Sequence, residues 1–435
     1  MDPSESLHDT AAESATVPPS GQSWLSKLGP GLITGAADDD PSGIATYSQA
    51  GAQFGFGLLW TMLLTFPMMA AIQIISARIG RVTGRGLATN IRHHSPPWLL
   101  YSLVSLLLVA NTINIAADIA AMGDAVRLIA GGRPHWYALA FGILSLLLQV
   151  FIPYRRYVHI LKWLTLALLA YVATVLVVNV PWREALHATL VPHLSWRPEY
   201  LTTVVAVFGT TISPYLFFWQ AAQEVEELRA DPQAEPLKCD PAQAPEQYQR
   251  IKLDTVVGMG FSNLVAFFIM LTTAVTLHAH GITDIGSSAQ AASALKPIAG
   301  EFAFVLFTLG IVGTGLLAIP VLAGSAAYAM AGTFRWKNSL ELQFSAARKF
   351  YLIIIASTMA GVGIGFLPID PIKALFWAAV INGVIAVPIM AVMMALASKA
   401  DVMGGLPISR RLRILGWICT AVMGLAVIAM FATMR

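Results

Sequence analysis

Two short runs in an otherwise apolar chain hold the residues able to do chemistry. One is Asp38-Asp39-Asp40-Pro41-Ser42-Gly43; the other is Gly209-Thr210-Thr211-Ile212-Ser213-Pro214. Each lies in the middle of a long hydrophobic segment. Pro41 and Pro214 remove backbone donors, and Gly43 and Gly209 permit unusual backbone angles, so a helix should break at both places. A break frees carbonyl oxygens beside carboxylates and hydroxyls. That is an oxygen ligand set, suited to hard divalent cations such as Mg²⁺, Ca²⁺ or Mn²⁺. No Cys, Met or His stands in either run, which argues against soft metals, and Asp40 would repel a carboxylate substrate.

The rest of the chain says what must position these runs. Of 435 residues, 56% are hydrophobic and 12% charged, against about 25% charged in a soluble protein. Mean hydropathy is +0.67. These values describe a polytopic membrane protein and exclude a soluble enzyme. A net charge of +3 gives no basis for binding nucleic acid. Two cysteines, Cys239 and Cys419, exclude a disulfide scaffold or a thiolate metal cluster. Residues 1–27 lack the apolar core of a signal peptide and read as a disordered cytoplasmic tail.

Eleven segments are long and apolar enough to span a bilayer, near 29–53, 56–80, 98–121, 136–154, 158–180, 200–224, 254–277, 301–331, 350–368, 372–397 and 412–434. A Pro-, Ala- and Gln-rich stretch, 229–250, reads as a flexible cytoplasmic linker. With the N-terminus inside and the C-terminus outside, 20 of the 27 Lys and Arg residues fall on the inner side and 7 on the outer. That split is the bias expected of cytoplasmic loops.

In the first segment, each of the three acids costs about 2.5–3.5 kcal/mol at mid-membrane. Unwound backbone at that depth is tolerated only where protein or a water-filled cavity surrounds it. Breaks in segments one and six imply a period of five. Five is odd, so the second set is inverted relative to the first. Paired broken helices in inverted halves point to the binding site of a secondary transporter. The expected fold is therefore all-α: one transmembrane domain, 28–435, with a LeuT-like 5+5 inverted repeat (28–182 and 198–398) and one extra helix, 411–435.

Further polar residues follow helical spacing. Gln220, Glu224 and Glu227 share one face beyond the second break and should line a wet path to the cytoplasm. Asn111, Asn114 and Asp118 form a stripe in segment three, read as a cation or proton path. Interhelical hydrogen bonding explains the two Asn residues equally well. Asn382 in segment ten is a candidate for direct metal contact. His93, His94, His159, His278 and His280 show no ligand pairing with the breaks.

At these residues the chain resembles the Nramp family of divalent metal transporters. That family's first helix starts Gly-Pro-Gly, breaks at Asp-Pro-Gly-Asn, and continues through Gln-Ala-Gly, Gln-Phe-Gly and Leu-Leu-Trp. Here Gly29-Pro30-Gly31, Asp40-Pro41-Ser42-Gly43, Gln49-Ala50-Gly51, Gln53-Phe54-Gly55 and Leu58-Leu59-Trp60 stand in the same order. The family's sixth-helix Met-Pro-His is matched by Ser213-Pro214-Tyr215. The resemblance implies that Asp40 binds the metal. The chain departs from the pattern at Gly43 for Asn, Ser213 for Met, Tyr215 for His, and Ala121 for a Glu three residues after Asp118.

Losing the Met thioether removes a preference for softer ions. Replacing Asn by Gly is expected to enlarge the site for an ion that keeps its waters, as Mg²⁺ does. These changes are similar to those of the Nramp-related magnesium transporters. The expected function is alternating-access transport of Mg²⁺ or Mn²⁺, with Asp40, Gly43, Thr210 and Ser213 forming the metal site. Asp38 and Asp39 would attract cations or take up protons. The nearest rival is a proton-coupled Mn²⁺/Fe²⁺ importer; a further one is a sodium-coupled amino-acid symporter of the same fold. A membrane-embedded enzyme is disfavoured, because no nucleophile constellation accompanies the aspartates. No cofactor is expected apart from the transported cation. The expected partners are that ion, the lipid bilayer and, as a candidate, protons, with no nucleic acid and no obligate protein partner. The expected location is a bacterial-type plasma membrane.

Overall fold

The computed structural model describes residues 34, 35, 37–152, 163–231, 234–367 and 369–434. The expected tail, Gly29-Pro30-Gly31 and His159 lie outside the described residues. Among the described residues the chain is helical and has no β-strand. Its principal helices are α1 (Pro41–Phe54), α2 (Trp60–Thr83), α3 (Pro97–Ala130), α4 (Pro134–Phe151), α5 (Leu169–Val177), α6 (Pro198–Thr211), α7 (Pro214–Ala230), α8 (Ala244–Thr276), α9 (Ala303–Phe334), α10 (Arg348–Gly365), α11 (Pro371–Ala397) and α12 (Arg410–Thr433).

Many of these helices open on proline. The first helical position needs no backbone N–H, and proline's fixed φ suits it. Pro41 and Pro214 therefore act as helix starts, each closing a break that the preceding residues open. Residues 37 and 38 are helical, Asp39 and Asp40 are not, and α1 begins at Pro41. Likewise α6 stops at Thr211 and α7 resumes at Pro214.

Nine helical stretches among the described residues are long and apolar enough to cross a membrane, with α6 and α7 counted as one. They match nine of the eleven expected segments. The other two are the broken first segment, of which α1 is the second half, and the fifth, where residues 153–162 are not described and a short apolar helix covers 166–177.

At the centre, α3 packs against α4, α9, α10 and α11, and α1 lies against α6, α8 and α11. Lipid offers no hydrophobic drive between helices, so close backbone approach matters. A Cβ on Gly209 would lie 2.1 Å from the Ala379 carbonyl oxygen and 2.4 Å from the Gly383 nitrogen, so α6 and α11 meet backbone to backbone beside the second break. On the outside, Leu63, Val109, Leu147, Leu264 and Leu425 present the apolar surface a bilayer would cover.

The stretch read as a flexible linker is shorter and better held than its composition implies. Helix α7 runs to Ala230 and α8 starts at Ala244, so both ends of 229–250 are helical. Between them Leu237 is fully buried. The N–H groups of Leu237 and Lys238 donate to the carbonyls of Arg81 and Val82 at 3.2 and 3.1 Å. Lys238 Nζ donates to the Asp401 carbonyl at 2.8 Å. One apolar side chain and two backbone bonds are enough to dock a polar segment onto the end of α2.

Candidate metal site at the two breaks

Asp40 is the N-cap of α1. Its Oδ1 accepts the Gly43 N–H at 2.7 Å, filling a donor that the helix start leaves free. Its Oδ2 accepts the Asn114 amide from α3 at 3.1 Å and the Tyr215 hydroxyl from α7 at 3.3 Å. The Tyr215 hydroxyl also lies 3.3 Å from the Ala37 carbonyl, so its one proton chooses between the two oxygens. Three segments thus meet on one carboxylate that is 1% exposed. The Ser42 hydroxyl is also within reach of it, so neutral donors surround its roughly four lone-pair positions.

Thr210 and Gly43 face each other across the breaks. A Cβ on Gly43 would lie 3.2 Å from Thr210 Oγ1, 3.3 Å from the Tyr47 ring and 3.5 Å from the Asp38 carbonyl oxygen. The room expected from losing an Asn side chain is therefore occupied, by Thr210 and Tyr47. Ser213 turns back on the end of α6: its hydroxyl reaches the Gly209 and Thr210 carbonyls at 2.9 and 2.8 Å and can donate to one at a time. Its lone pairs stay available, while one of the carbonyls expected to be free carries a hydrogen bond.

Asp38 and Asp39 face α8. Ser262 Oγ lies 2.8 Å from Asp38 Oδ2 and 3.0 Å from Asp39 Oδ1. One hydroxyl proton cannot serve both carboxylates, so this cluster carries more acceptors than donors. Asp38 Oδ1 has no partner among the described residues.

The polar stripe of α3 divides by role. Asn111 ties α3 to α9 through the Leu322 carbonyl and Ser325 Oγ, both at 2.8 Å. Asn114 holds Asp40. Asp118, one turn further, is fully buried, and neither carboxylate oxygen has a partner among the described residues. Both amide atoms of Asn382 share that condition. Buried polar atoms are almost always paired in proteins. Their concentration around the breaks marks a place built to receive something with hydrogen bonds or positive charge of its own.

The inner-facing stripe of α7 is closed in this conformation. Gln220 Oε1 accepts the Thr34 hydroxyl at 2.5 Å. Arg250 of α8 pairs with Glu224 at 2.5 Å and with Glu227 at 3.1 Å. The expected wet path is here an interface between α7, α8 and the turn before the first break. At the opposite end of the bundle, Gln49 Oε1 accepts the Ile285 N–H at 2.9 Å, pinning the loop after α8 to α1. A cavity of about 360 Å³ opens there between α1, α6 and α11, lined by Glu199, Asp284, Lys373 and Trp377 among others; no residue of either break reaches it. Asp40 is closed toward both ends.

Among the described residues no three His, Cys, Asp or Glu side chains converge on one point. The side chains that touch Asp40 are neutral, the Asn114 amide nitrogen and the Tyr215 hydroxyl. His278 and His280 each spend Nδ1 on a backbone carbonyl, of Ala52 and Thr276, at 2.8 Å. The residues that the sequence reading missed as site members are Ser262, Thr34, Arg250 and Tyr47. Only Tyr47 carried a usable signal, because it stands one helical turn after Gly43 and so shares its face.

The sequence model of the natural resistance-associated macrophage protein-like family, Nramp, matches residues 31–433. The chain is 26% identical over 405 residues to the divalent metal cation transporter MntH of Klebsiella pneumoniae, covering 92% of each. It is 30% identical over 306 residues to the MntH of Acidiphilium cryptum, covering 67% of each. Its fold is similar to that of the Eremococcus coleocola manganese transporter, with TM-score 0.72 at 16% identity over 94% of this chain and 87% of that one. MhsT in complex with L-phenylalanine shares the fold at TM-score 0.62 and 12% identity, covering 95% of this chain and 98% of that one. These neighbours bear out the LeuT-like architecture. The named relatives are transporters, which bears out the expectation against an enzyme. The chain belongs to the Nramp family.

Proposed function

We propose that this protein carries a divalent metal cation across the plasma membrane by alternating access, with Asp40 as the principal ligand. The observation that supports it most is the placement of Asp40. It caps a helix restarted in mid-segment, holds bonds to three segments, and is shut from both ends. A closed carboxylate between two discontinuous helices is what a carrier needs at its midplane.

Two ions fit the donors. The set is oxygen throughout, with Ser213 where a thioether would favour softer metals, and both Mg²⁺ and Mn²⁺ accept oxygen ligands. Neutral donors already surround Asp40, so an ion that keeps much of its water, the habit of Mg²⁺, can bind beside it with the least rearrangement. Manganese is the metal named for the structural neighbour, and the MntH relatives are named for divalent metals in general. A proton-coupled importer of Mn²⁺ or Fe²⁺ is the second reading. Asp118 favours it, as a buried carboxylate without a partner close to the site. An amino-acid symporter is opposed by Asp40, whose charge would repel a substrate carboxylate.

Uptake by proteoliposomes holding a pH dye tests both readings. Mg²⁺ or Mn²⁺ entry that disappears in Asp40→Ala supports the site. Acidification that accompanies entry supports the proton-coupled form. Entry of neither ion, through protein shown to be folded, would sink the proposal.

A further inference from the structure

Tyr47 stands on α1 one turn past Gly43 and is fully buried. A buried phenol normally finds a hydrogen-bond partner. Tyr328 and Tyr351 do so, on Glu226 at 3.2 Å and on the Leu342 carbonyl at 2.8 Å. Tyr47 Oη has only the Thr210 hydroxyl beside it among the described residues, so lone pairs of both oxygens stay open. The surroundings of Tyr47 are those of the breaks. Its ring fills the space beside Gly43 together with Thr210 Oγ1.

We propose that Tyr47 determines selectivity at this site, its phenol oxygen accepting a hydrogen bond from water that the cation carries. The proposal rests on the reading of Asp40 as the cation site. A neutral phenol is a poor direct ligand for a divalent ion but a good acceptor for the polarised water around one. Thr210 Oγ1 beside it offers a second acceptor of the same kind. An ion that releases water reluctantly gains most from such partners, and Mg²⁺ is that ion. In the place where a side-chain amide would touch the metal directly, the chain keeps an oxygen one water further out.

The test uses the full chain in proteoliposomes, with the KM for Mg²⁺ and for Mn²⁺ measured in wild type, Tyr47→Phe and Asp40→Ala. Tyr47→Phe keeps the ring and removes only the oxygen. The KM for Mg²⁺ should rise about two- to tenfold, the range of one neutral hydrogen bond. The KM for Mn²⁺ should move less, so the ratio of the two changes. A loss of packing alone would move both together. The melting temperature of detergent-solubilised Tyr47→Phe, titrated with each metal, gives a second readout should transport be too slow to fit. An unchanged KM ratio and unchanged metal-dependent melting shifts overturn the role of Tyr47. So does a wild-type protein that carries Mn²⁺ and excludes Mg²⁺. If Asp40→Ala still carries both ions, the site itself is wrong. If Asp40→Ala is inactive while the Tyr47→Phe ratio is unchanged, only the inference about Tyr47 fails.

Discussion

Asn114 donates its side-chain amide to Asp40 Oδ2 across 3.1 Å, joining α3 to the break in the first segment. The donor is neutral and the acceptor a carboxylate, which places the bond among the stronger kind, about 1.5–3 kcal/mol. It fixes the carboxylate without cancelling its charge. Asn114→Ala should therefore weaken ion binding by roughly 10–100-fold and leave the fold in place. Metal binding by calorimetry on the purified variant checks this. Unchanged affinity would mean that the Gly43 N–H alone orients Asp40.

Asp118 makes the opposite kind of prediction. A buried carboxylate without a donor is costly to the folded state, and Asp118 is fully buried with neither oxygen partnered among the described residues. Asp118→Asn should raise the melting temperature in metal-free buffer while slowing transport. Residues retained for function at a cost in stability behave in this way. A variant that is both less stable and fully active would show that Asp118 is structural.

Much of this was legible in the chain, and the reason is local. Pro41 after three acids, and Pro214 after a Gly-Thr-Thr-Ile-Ser run, change backbone geometry within a few residues, so the breaks could be read without knowing what lay across from them. The N-cap role of Asp40 is equally local, since its partner is Gly43. Gln49 and Gly51 were legible only as motif letters. Gln49 turns out to pin the loop after α8, and a Cβ on Gly51 would lie 2.2 Å from the Met270 carbonyl oxygen. The pairings that stayed hidden connect distant segments: Ser262 with Asp38 and Asp39, Thr34 with Gln220, Arg250 with Glu224. Helical spacing shows which residues share a face, and nothing in it says which helix that face meets. Helical spacing reads the Gln220, Glu224 and Glu227 stripe as a wet path; in this conformation Gln220 and Glu224 are buried in an interface and Glu227 stays partly open.

Gly209 tests the packing argument. Its missing side chain lets α6 touch α11 at Ala379 and Gly383, and the contacting atoms are backbone, which cannot swing aside. Gly209→Ala should cost about 1–3 kcal/mol, the usual penalty of overpacking, or shift the second break enough to abolish transport. A thermal melt of the solubilised protein reads the first effect. A melting temperature equal to wild type with normal transport would mean the two helices can separate freely.

Ser213 offers the sharpest change of ion preference. Its hydroxyl stands at the restart of the second broken helix and bonds back to the Gly209 and Thr210 carbonyls. Ser213→Met would do two things at once. It frees those carbonyls from a hydrogen-bond donor, and it places a polarisable thioether at the break. Thioethers stabilise soft and borderline ions and do little for hard ones. Uptake should therefore shift toward Cd²⁺ and Mn²⁺ and away from Mg²⁺. Competition measures this directly: in wild type an excess of Mg²⁺ should suppress Mn²⁺ uptake, and in Ser213→Met it should suppress it less. Equal suppression in both proteins would mean that position 213 does not face the ion, and the metal site would then have to be drawn from Asp40, Asn114 and Tyr215 without the second break.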